Sequence, residues 1–346
     1  MKIWLPTIRA GSGADVFALR IAEGMRRAGH EPVIQWFAHR YELMPWALKR
    51  FPAPAGTDVV HAASGQAFAF KREGIPLVVT EHHYVGHPAF AAHRSTAQML
   101  YHKLFISRCL ARSFAQADAI VAVSQNTADA MKARVKQPVQ VILNWIDTDE
   151  FSPKLSNEVP ARNGKLRVLF VGNPSRRKGA DLLARYAESL SDEIELWCLG
   201  GLRSAVSNAA MPANMIPVPR VNPADMANLY RQVDAVIVPA YYEAFGYVAL
   251  EAMSCGLPVL GFDTTGTAEI CVHGETALLA PIGDLEALVN YTRQLLASRE
   301  LRARLGAAGR ARAVAHFGEE TGIRQYIDVY ERVRTRARKG QNIERA

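Results

Sequence analysis

The sequence predicts an α/β fold with two doubly wound domains, each built on a parallel sheet. Apolar strand-like runs alternate with helix-like stretches along the chain. This alternation stops in a polar segment rich in Pro and Asn, residues 147–164, and then starts again. The chain has 346 residues, of which 49% are hydrophobic, enough for two domains with separate cores. We expect the domains to face each other across a cleft, where a ligand would bind.

The first domain is expected over residues 1–150. Apolar runs predict strands at 2–5, 32–36, 59–61, 77–80, 119–123 and 139–143. Helix patterns lie at 15–28, 95–116 and 127–135, and Gly29 ends the first of them. Ligands of such sheets bind beyond the carboxyl ends of the strands, so the loops that follow the strands are the candidate sites.

The second domain is expected over residues 166–325, after a linker over 151–165. Its apolar runs predict strands at 167–171, 194–199, 235–238, 259–262 and 277–280. Helix patterns lie at 180–190, 223–232, 248–254 and 285–298. The repeated order of strand and helix predicts a second parallel sheet.

Composition argues against several classes of protein. The formal net charge is +8, but there is no motif or basic–aromatic stripe typical of nucleic-acid binding, so an anionic substrate or membrane surface explains the charge better. The four cysteines form no C-x-x-C pair, which fits a cytoplasmic protein without disulfides or a zinc site. No apolar stretch reaches about eighteen residues, so no transmembrane helix is expected.

The most informative motif is a pair of glutamates eight positions apart, Glu243 and Glu251. An apolar strand-like run precedes the pair, and the stretch around Glu251 is helix-like and closed by Gly256. Glu243 is therefore expected in a strand-to-helix loop and Glu251 on the helix. Backbone amides at a helix start complement oxygens, and carboxylates accept hydrogen bonds from hydroxyls. Together these groups suit a polyhydroxylated ligand such as a sugar.

A second signal is a cationic loop after the strand at 167–171. Gly172 begins the loop, and Arg176, Arg177 and Lys178 follow in succession just before Gly179. Cations at a helix start oppose the helix dipole, which predicts that an anion binds there. A diphosphate would fit, because Arg offers a bidentate fork and Lys a compact charge. A solvated basic loop is the alternative.

A third signal is the glycine loop after the first strand, with Gly11 and Gly13. It is not a dinucleotide fingerprint, because G-x-G-x-x-G would need a glycine where Val16 stands. The acidic ribose partner expected about twenty residues later is also missing. The two glycines would still let backbone approach a ligand closely.

The order of these motifs resembles glycosyltransferase family 4, retaining enzymes of the GT-B fold with two Rossmann-like domains. The resemblance rests on Glu-x7-Glu with Phe245-Gly246 inside it, on the cationic loop, and on the N-terminal glycine loop. Further matches are 117–124, 141–153 and 266–274, so nearly the whole chain is covered. It implies a hexosyltransferase acting on a nucleotide-sugar, similar to bacterial lipopolysaccharide and exopolysaccharide glycosyltransferases.

The resemblance implies a role for each matching residue. Glu243 would contact the donor sugar and Glu251 the ribose of the nucleotide. Arg177 and Lys178 would hold the diphosphate and stabilise the leaving group. His82 matches a family histidine near the reacting sugar. The other expected donor-binding positions are Gly11, Gly13, Gly172, Gly201, Arg220, Val221, Phe245, Gly246, Tyr247 and Val248.

The sequence departs from the family pattern at a few positions. Asn173 stands where many members carry Arg, and Arg177 is expected to take over that role, as in relatives that resemble lipopolysaccharide-core glucosyltransferases. Asn144-Trp145 replaces a common Asn-Gly. The C-terminal segment 326–346 resembles the family's last helix, which crosses back to the first domain, here followed by a basic tail.

The resemblance implies retention at the anomeric carbon. A double displacement would need a carboxylate under the sugar, for which Glu81 and Asp15 are the nearest candidates by motif. We favour front-face substitution, in which the leaving phosphate deprotonates the acceptor. No metal or other cofactor is expected, because there is no Asp-x-Asp motif and two cations already face the diphosphate. The histidines before residue 103 lack metalloprotease spacing, which also argues against a metal site.

Two basic and aromatic stretches, 41–51 and 94–114, suggest contact with an anionic membrane surface. The alternative is that their apolar residues pack on the first domain. If they bind membrane, the protein would lie at the inner face of the cytoplasmic membrane and its acceptor would be lipid-linked. Other functions remain open: a nucleotide-sugar 2-epimerase, a phosphorylase with pyridoxal phosphate, or a catalytically silent sugar-nucleotide-binding protein.

Overall fold

The computed structural model describes residues 1–9, 11, 13–153, 164–173, 175–200 and 211–344. The chain divides into two compact units, Met1–Asn144 with Glu319–Ala346, and Trp145–Gly318. The sequence placed these boundaries near residues 150 and 325. Trp145 and Ile146, which belong to the second unit, are both buried. There the amide of Ile146 donates to the carbonyl of Phe317 at 3.0 Å.

The first unit contains a parallel sheet of six strands among its described residues, in the order β2-β1-β3-β4-β5-β6. The strands are β1 (Lys2–Ile8), β2 (Glu31–Phe37), β3 (Val59–Ala63), β4 (Leu77–Glu81), β5 (Ala119–Ala122) and β6 (Val139–Val141). The helices are α1 (Gly13–Arg27), α2 (Pro88–Ala91), α3 (Thr96–Tyr101), α4 (Ser107–Gln116) and α5 (Gln125–Lys132). The inner strands β1, β3, β4 and β5 are mostly buried, as expected when helices cover both faces of a sheet, whereas the edge strands β2 and β6 are mostly half-buried.

The second unit, over its described residues, also has a parallel six-stranded sheet, in the order β12-β11-β10-β7-β8-β9. The strands are β7 (Leu166–Val171), β8 (Ile194–Leu199), β9 (Met215–Val218), β10 (Ala235–Val238), β11 (Val259–Phe262) and β12 (Ala277–Ala280). The helices are α6 (Leu183–Glu188), α7 (Met226–Tyr230), α8 (Tyr247–Ser254), α9 (Thr265–Ile270), α10 (Leu285–Ala297) and α11 (Arg299–Phe317), and α12 (Glu319–Glu344) returns to the first unit. The predicted fold class, two parallel sheets in α/β units, is confirmed.

Some predicted elements have different bounds. The single helix expected over 95–116 consists of α3 and α4 joined by a π-helical segment, His102–Ile106. The helix expected over 180–190 is shorter, because turn geometry occupies residues 180–182 and 189–190. β9 was missed, and its Pro217 explains why: proline is tolerated in a sheet mainly on an edge strand, which β9 is.

Helix α11 was also missed, because it packs with small residues rather than a stripe of large apolar ones. A Cβ on Gly306 would lie 2.0 Å from the carbonyl oxygen of Gly256, so the helix backbone passes directly over the loop after α8. Gly309 packs in the same way against Met253, at 3.2 Å. A search for large apolar residues at helical spacing cannot detect an interface of this kind.

Helix α12 is attached to the first sheet by a buried polar network around His61. The Nδ1 of His61 lies 2.7 Å from the hydroxyl of Tyr330, and its Nε2 lies 2.7 Å from the hydroxyl of Thr80. The Thr80 hydroxyl is also 3.1 Å from that of Tyr326, whose ring stacks on His61. Burial lowers the pKa of His61 to about 3, so the imidazole is neutral at neutral pH.

This network predicts how His61→Phe changes stability with pH. At pH 7 the variant loses two buried hydrogen bonds and should be less stable by about 1–3 kcal/mol. Below pH 6.5 the unfolded chain binds a proton at His61 and the folded chain does not. The free energy of unfolding of the wild type therefore decreases as the pH is lowered. The difference in free energy of unfolding between the wild type and the variant should therefore become smaller by about 2 kcal/mol between pH 7 and pH 5, measured by urea unfolding. A stability difference that does not change with pH, or an equal effect of His39→Gln at an exposed site, would contradict the role given to the buried His61.

Candidate functional site

Parallel pairing brings two of the predicted loops together in the second unit. Strand β10 pairs with β7, so both strands end at the same edge of the sheet. The loops that follow are joined by two hydrogen bonds. The amide of Tyr241 donates to the carbonyl of Arg177 at 2.9 Å, and the guanidinium of Arg177 donates to the carbonyl of Tyr242 at 3.0 Å. Arg177 thus fastens the two loops to each other.

Glu243 and Lys178 form an ion pair across these loops. The carboxylate is largely buried, with Glu243 only 8% exposed. Its backbone is fixed as well, because its amide donates to the hydroxyl of Thr265 at 3.0 Å and its carbonyl accepts from the amide of Gly266 at 2.9 Å. The two side chains that the sequence assigned to different parts of one ligand are therefore in direct contact.

Glu251 lies on the second turn of α8, as the sequence predicts. One of its carboxylate oxygens accepts a hydrogen bond from the hydroxyl of Tyr230 at 2.9 Å. Tyr230 is fully buried at the end of α7, and its ring contacts Phe151 edge-on. Sequence reasoning missed Tyr230, because nothing in a helix pattern shows which side chain on a neighbouring helix it will reach.

The turn between Glu243 and α8 depends on Gly246. This residue caps the start of the helix with a φ of 104°, a conformation that favours glycine. Phe245 is 4% exposed and packs near Phe317, so its backbone rather than its ring is available to a ligand. Tyr247 and Val248 open the helix, and first-turn amides of a helix point out of its N-terminal end.

The cationic loop forms a short 3₁₀ turn, Arg176–Lys178, after β7. Arg176 is exposed, whereas Arg177 and Lys178 are partly buried against the loop after β10. Gly179 ends the turn with a φ of 73°, and a Cβ there would lie 2.0 Å from the carbonyl oxygen of Pro239. The loop can approach β10 this closely only with glycine at this position.

The remaining predicted positions of the second unit follow strands β7 to β9. Gly172 directly follows β7, and its amide donates to the carbonyl of Leu199 at the end of β8. Arg220 and Val221 follow the edge strand β9, and Arg220 is exposed. Gly201 lies outside the described residues.

In the first unit, the glycine loop leads into α1. The helix begins at Gly13, and the amide of Gly11 donates to the carboxylate of Asp15 at 2.8 Å. Asp15, one candidate nucleophile by motif, is thus used in holding this turn. His82 follows β4 and packs edge-on against Phe17, with ring centroids 4.5 Å apart. Burial lowers the pKa of His82 to about 4, so it is a neutral hydrogen-bonding group at neutral pH.

Glu81 is the last residue of β4 and is 2% exposed. Its Oε1 accepts from the amide of His83 at 2.9 Å, while its Oε2 is buried and makes no well-formed hydrogen bond among the described residues. Burial raises the pKa of Glu81 to about 7, against smaller opposing effects of the His83 amide and the Ser64 hydroxyl. Glu81 and His82 both line a cavity of about 230 Å³ in this unit.

Within the described ranges, no three His, Cys, Asp or Glu side chains come together in a way that could hold a metal ion. The four cysteines are separate, buried thiols. No helix in the described part of the chain is long and apolar enough to cross a membrane. The metal-free reaction remains a prediction.

Solved structures with the same fold identify its class. Sucrose-phosphate synthase from Thermosynechococcus elongatus superposes with a TM-score of 0.81 at 20% identity, over 96% of this chain and 99% of the other. HepE from Anabaena, solved in complex with UDP-glucose, gives a TM-score of 0.73 at 17% identity, over 96% and 99%. The fold is therefore GT-B, as expected from the sequence.

Family models make the identification more specific. The model described as Glycosyltransferase Family 4 matches residues 35–150, and the model described as Glycosyl transferases group 1 matches residues 151–312. The chain belongs to glycosyltransferase family 4. A D-inositol 3-phosphate glycosyltransferase from Xylanimonas cellulosilytica is 28% identical over 239 residues, 62% of this chain and 57% of that protein. The chain thus spans less than two thirds of the length of this relative.

The close approach at Gly179 predicts a large effect of Gly179→Ala on stability. A methyl group would meet the Pro239 carbonyl in addition to the strain of a positive φ, so we expect a loss of about 2–4 kcal/mol. Gly274→Ala is a matched control in the same unit, because Gly274 has a φ of 78° but no atom within 4 Å of the added Cβ. It should lose only about 1 kcal/mol. Equal losses in chemical denaturation would show that the contact with Pro239 is unimportant.

Proposed function

We propose that this chain transfers a hexose from a UDP- or GDP-sugar to a hydroxyl of a glycan or lipid-linked acceptor, with retention and without a metal, in the synthesis of a bacterial cell-surface polysaccharide. The observation that carries the proposal is the joining of Arg177, Lys178 and Glu243 at one edge of the second sheet. Family membership supports it, as does the UDP-glucose bound to the structurally similar HepE. The cell-surface role rests on the resemblance to lipopolysaccharide-core enzymes.

Arg177 and Lys178 are proposed to hold the diphosphate. Transfer breaks the bond between the anomeric carbon and the phosphate oxygen, so negative charge grows on the leaving nucleotide. Cations fixed near that oxygen stabilise the transition state more than the ground state. Arg177 is suited to this because its contact with Tyr242 holds the guanidinium in position before any ligand binds. The leaving phosphate then accepts the proton of the acceptor hydroxyl.

Glu243 and Glu251 are proposed to bind the hexose and the ribose. Each carboxylate is oriented by a neighbour, Glu243 by Lys178 and Glu251 by Tyr230. A carboxylate oxygen has more than one acceptor site, so both can still receive hydrogen bonds from sugar hydroxyls. The backbone of residues 245–248 and the loops at Gly11 and Gly13 would contact the sugar and phosphates. Gly172, Gly201, Arg220 and Val221 would surround the phosphates and the base.

His82 is proposed to contact the reacting sugar from the first unit. Since its pKa is lowered to about 4 by burial, the imidazole is neutral near pH 7. It can donate one hydrogen bond and accept another, but it does not supply a positive charge. The positive charge for the leaving group therefore has to come from Arg177 and Lys178.

The donor is tested by thermal denaturation with a panel of UDP-, GDP- and ADP-sugars. A donor at a hundred times its Kd should stabilise the protein by about 2.7 kcal/mol. We expect one nucleotide series to raise the melting temperature and the other two to have little effect. The stabilising donor is then incubated with and without acceptor. Absence of stabilisation by every sugar nucleotide would overturn the proposal, and rapid release of nucleotide without any acceptor would favour the epimerase.

The two glutamates should differ in their effects. Glu251→Gln should raise the Kd of the free nucleoside diphosphate roughly tenfold or more, because a charged hydrogen bond to the ribose is weakened. Glu243→Gln should lower kcat roughly a hundredfold with a smaller change in nucleotide affinity. Calorimetric titration and steady-state kinetics measure the two effects. Glu286→Gln, at an exposed site on α10, is the control. The reverse pattern would show that the roles are exchanged.

We also propose that the first unit binds an anionic membrane surface. Several large apolar side chains are exposed on the segments 43–46 and 99–104, and Trp46 and Phe105 bring the segments together with ring centroids 5.9 Å apart. Lys49 and Arg50, just after the first segment, and Lys103, in the second, are exposed. This surface, which we call the basic–apolar surface, consists of Leu43, Met44, Trp46, Lys49, Arg50, Met99, Leu100, Tyr101, Lys103 and Leu104. Cations beside exposed aromatic and aliphatic groups suit the interface of an anionic bilayer.

Flotation with vesicles tests the basic–apolar surface. The protein should bind vesicles that contain phosphatidylglycerol at low salt and dissociate as salt screens the charges. Trp46→Ser combined with Leu100→Ser should weaken binding roughly tenfold or more. Ile282→Ser removes an equally exposed apolar side chain, 55% exposed, from the second unit and should have no effect. If wild-type protein does not float with anionic vesicles even at low salt, the membrane proposal fails.

A further inference from the structure

The cavity in the first unit is small and mostly apolar. Its volume is about 230 Å³, and it lies beside the carboxyl ends of β1, β3 and β4 and the start of α1. Leu5, Ile8, Phe17, Ile21 and Leu110 contribute much of its wall. Pockets that enclose drug-sized ligands start at about 300 Å³, so this one suits a single ring or a short chain.

The ionisable groups on the cavity wall are unusual for a site that would bind an anion. Among the described residues that line it there is no lysine and no arginine. The lining has two carboxyl groups, Glu42 and Glu81, and three imidazoles, His61, His82 and His83. Burial lowers the pKa of His61 to about 3 and that of His82 to about 4, so these two imidazoles are neutral near pH 7.

Glu81 gives the cavity a specific hydrogen-bonding group. The carboxyl is fixed on one side by the His83 amide, which donates to Oε1 at 2.9 Å. Oε2 is buried and makes no well-formed hydrogen bond in the part of the chain that the structure describes, although the Ser64 hydroxyl lies near enough to lower the pKa of the carboxyl. A buried acceptor without a hydrogen bond is destabilising, and a ligand hydroxyl that donates to it removes this penalty. An ionised phosphate or carboxylate would be buried in this cavity with no cation beside it. Because the pKa of Glu81 is raised to about 7, part of the carboxyl population is also ionised near pH 7 and repels an anion.

We propose that the part of the acceptor bound in this cavity is an uncharged polyhydroxylated group, such as a sugar ring or a polyol without phosphate, and that Glu81 hydrogen-bonds one of its hydroxyls. This inference rests on the proposed function, and it defines the chemistry of the acceptor. It separates this chain from the relative named for D-inositol 3-phosphate, whose acceptor is phosphorylated. The cavity disfavours a phosphorylated ligand because no cation there would pair with the phosphate. One unpaired charge is enough to weaken the binding of the wrong ligand.

Matched pairs of compounds test the inference: myo-inositol with D-inositol 3-phosphate, and methyl α-glucoside with glucose 6-phosphate. Binding of each to the full chain is measured by ligand-detected NMR, with the nucleoside diphosphate of the established donor bound. At least one neutral compound should bind roughly tenfold or more tightly than its phosphorylated partner. Tighter binding of the phosphorylated partners overturns the inference, and so does failure of both neutral compounds to bind.

Variants connect the effect to Glu81. Glu81→Gln keeps the shape of the side chain and should weaken binding of the neutral compound roughly tenfold, while the Kd of the nucleoside diphosphate stays constant. Glu73→Gln, an exposed position in the same unit, should change neither value. If Glu81→Gln is poorly folded, Glu81→Asp shortens the side chain and should weaken neutral binding in the same direction. Unchanged neutral binding in folded variants overturns the role of Glu81. Loss of nucleotide binding by wild type would instead be a failure of the proposed function.

Discussion

The site in the second unit depends on the parallel pairing of β7 with β10. Ala235 pairs with Val168 and Ile237 with Phe170, so the loops after the two strands begin side by side. A register shift of two residues would move one loop by about 6–7 Å along the strand. That is enough to separate Lys178 from Glu243. The position of the charged groups is therefore set by the apolar core beneath them, which fixes the register because each strand is buried on both faces.

The ion pair that results is stable only while its members compensate each other. A carboxylate and an ammonium group lose hydration on burial, and their mutual attraction offsets that loss when geometry is good. A ligand that enters between Lys178 and Glu243 has to satisfy both: it needs a negative group for the lysine and hydroxyl donors for the glutamate. A sugar joined to a diphosphate has both features within a few bonds. In the proposed function, the pair would thus select for this combination more strongly than either residue would by itself.

How much could be predicted from the sequence depends on the distance along the chain over which each signal acts. The strand–loop–helix unit around Glu243 and Glu251 is local, and its apolar runs and the helix-ending Gly256 predicted it correctly. The contact of Glu251 with Tyr230 joins side chains 21 positions apart on different helices, and the pairing of Lys178 with Glu243 spans 65 positions. Neither of these two contacts produces a periodic pattern in the sequence. The motifs name the residues expected to contact a ligand, which stays a prediction, whereas packing shows which residues hold them in place.

The charged and titratable groups have different environments in the two units. In the second unit, Arg177 and Lys178 are only partly buried at a loop edge, where they are proposed to bind a diphosphate. In the first unit, burial keeps His61 and His82 neutral, and the wall of the cavity has no lysine or arginine among the described residues. A nucleotide-sugar and a neutral sugar would thus be sorted by charge before any detail of shape matters. If the cavity carried a cation, the nucleotide-sugar could bind there in competition with the acceptor, and transfer would become slower as the donor concentration increased. With Glu81 on the cavity wall instead of a cation, a nucleotide-sugar would have no compensating partner there, and the proposed acceptor position would stay open while the second unit binds the proposed donor.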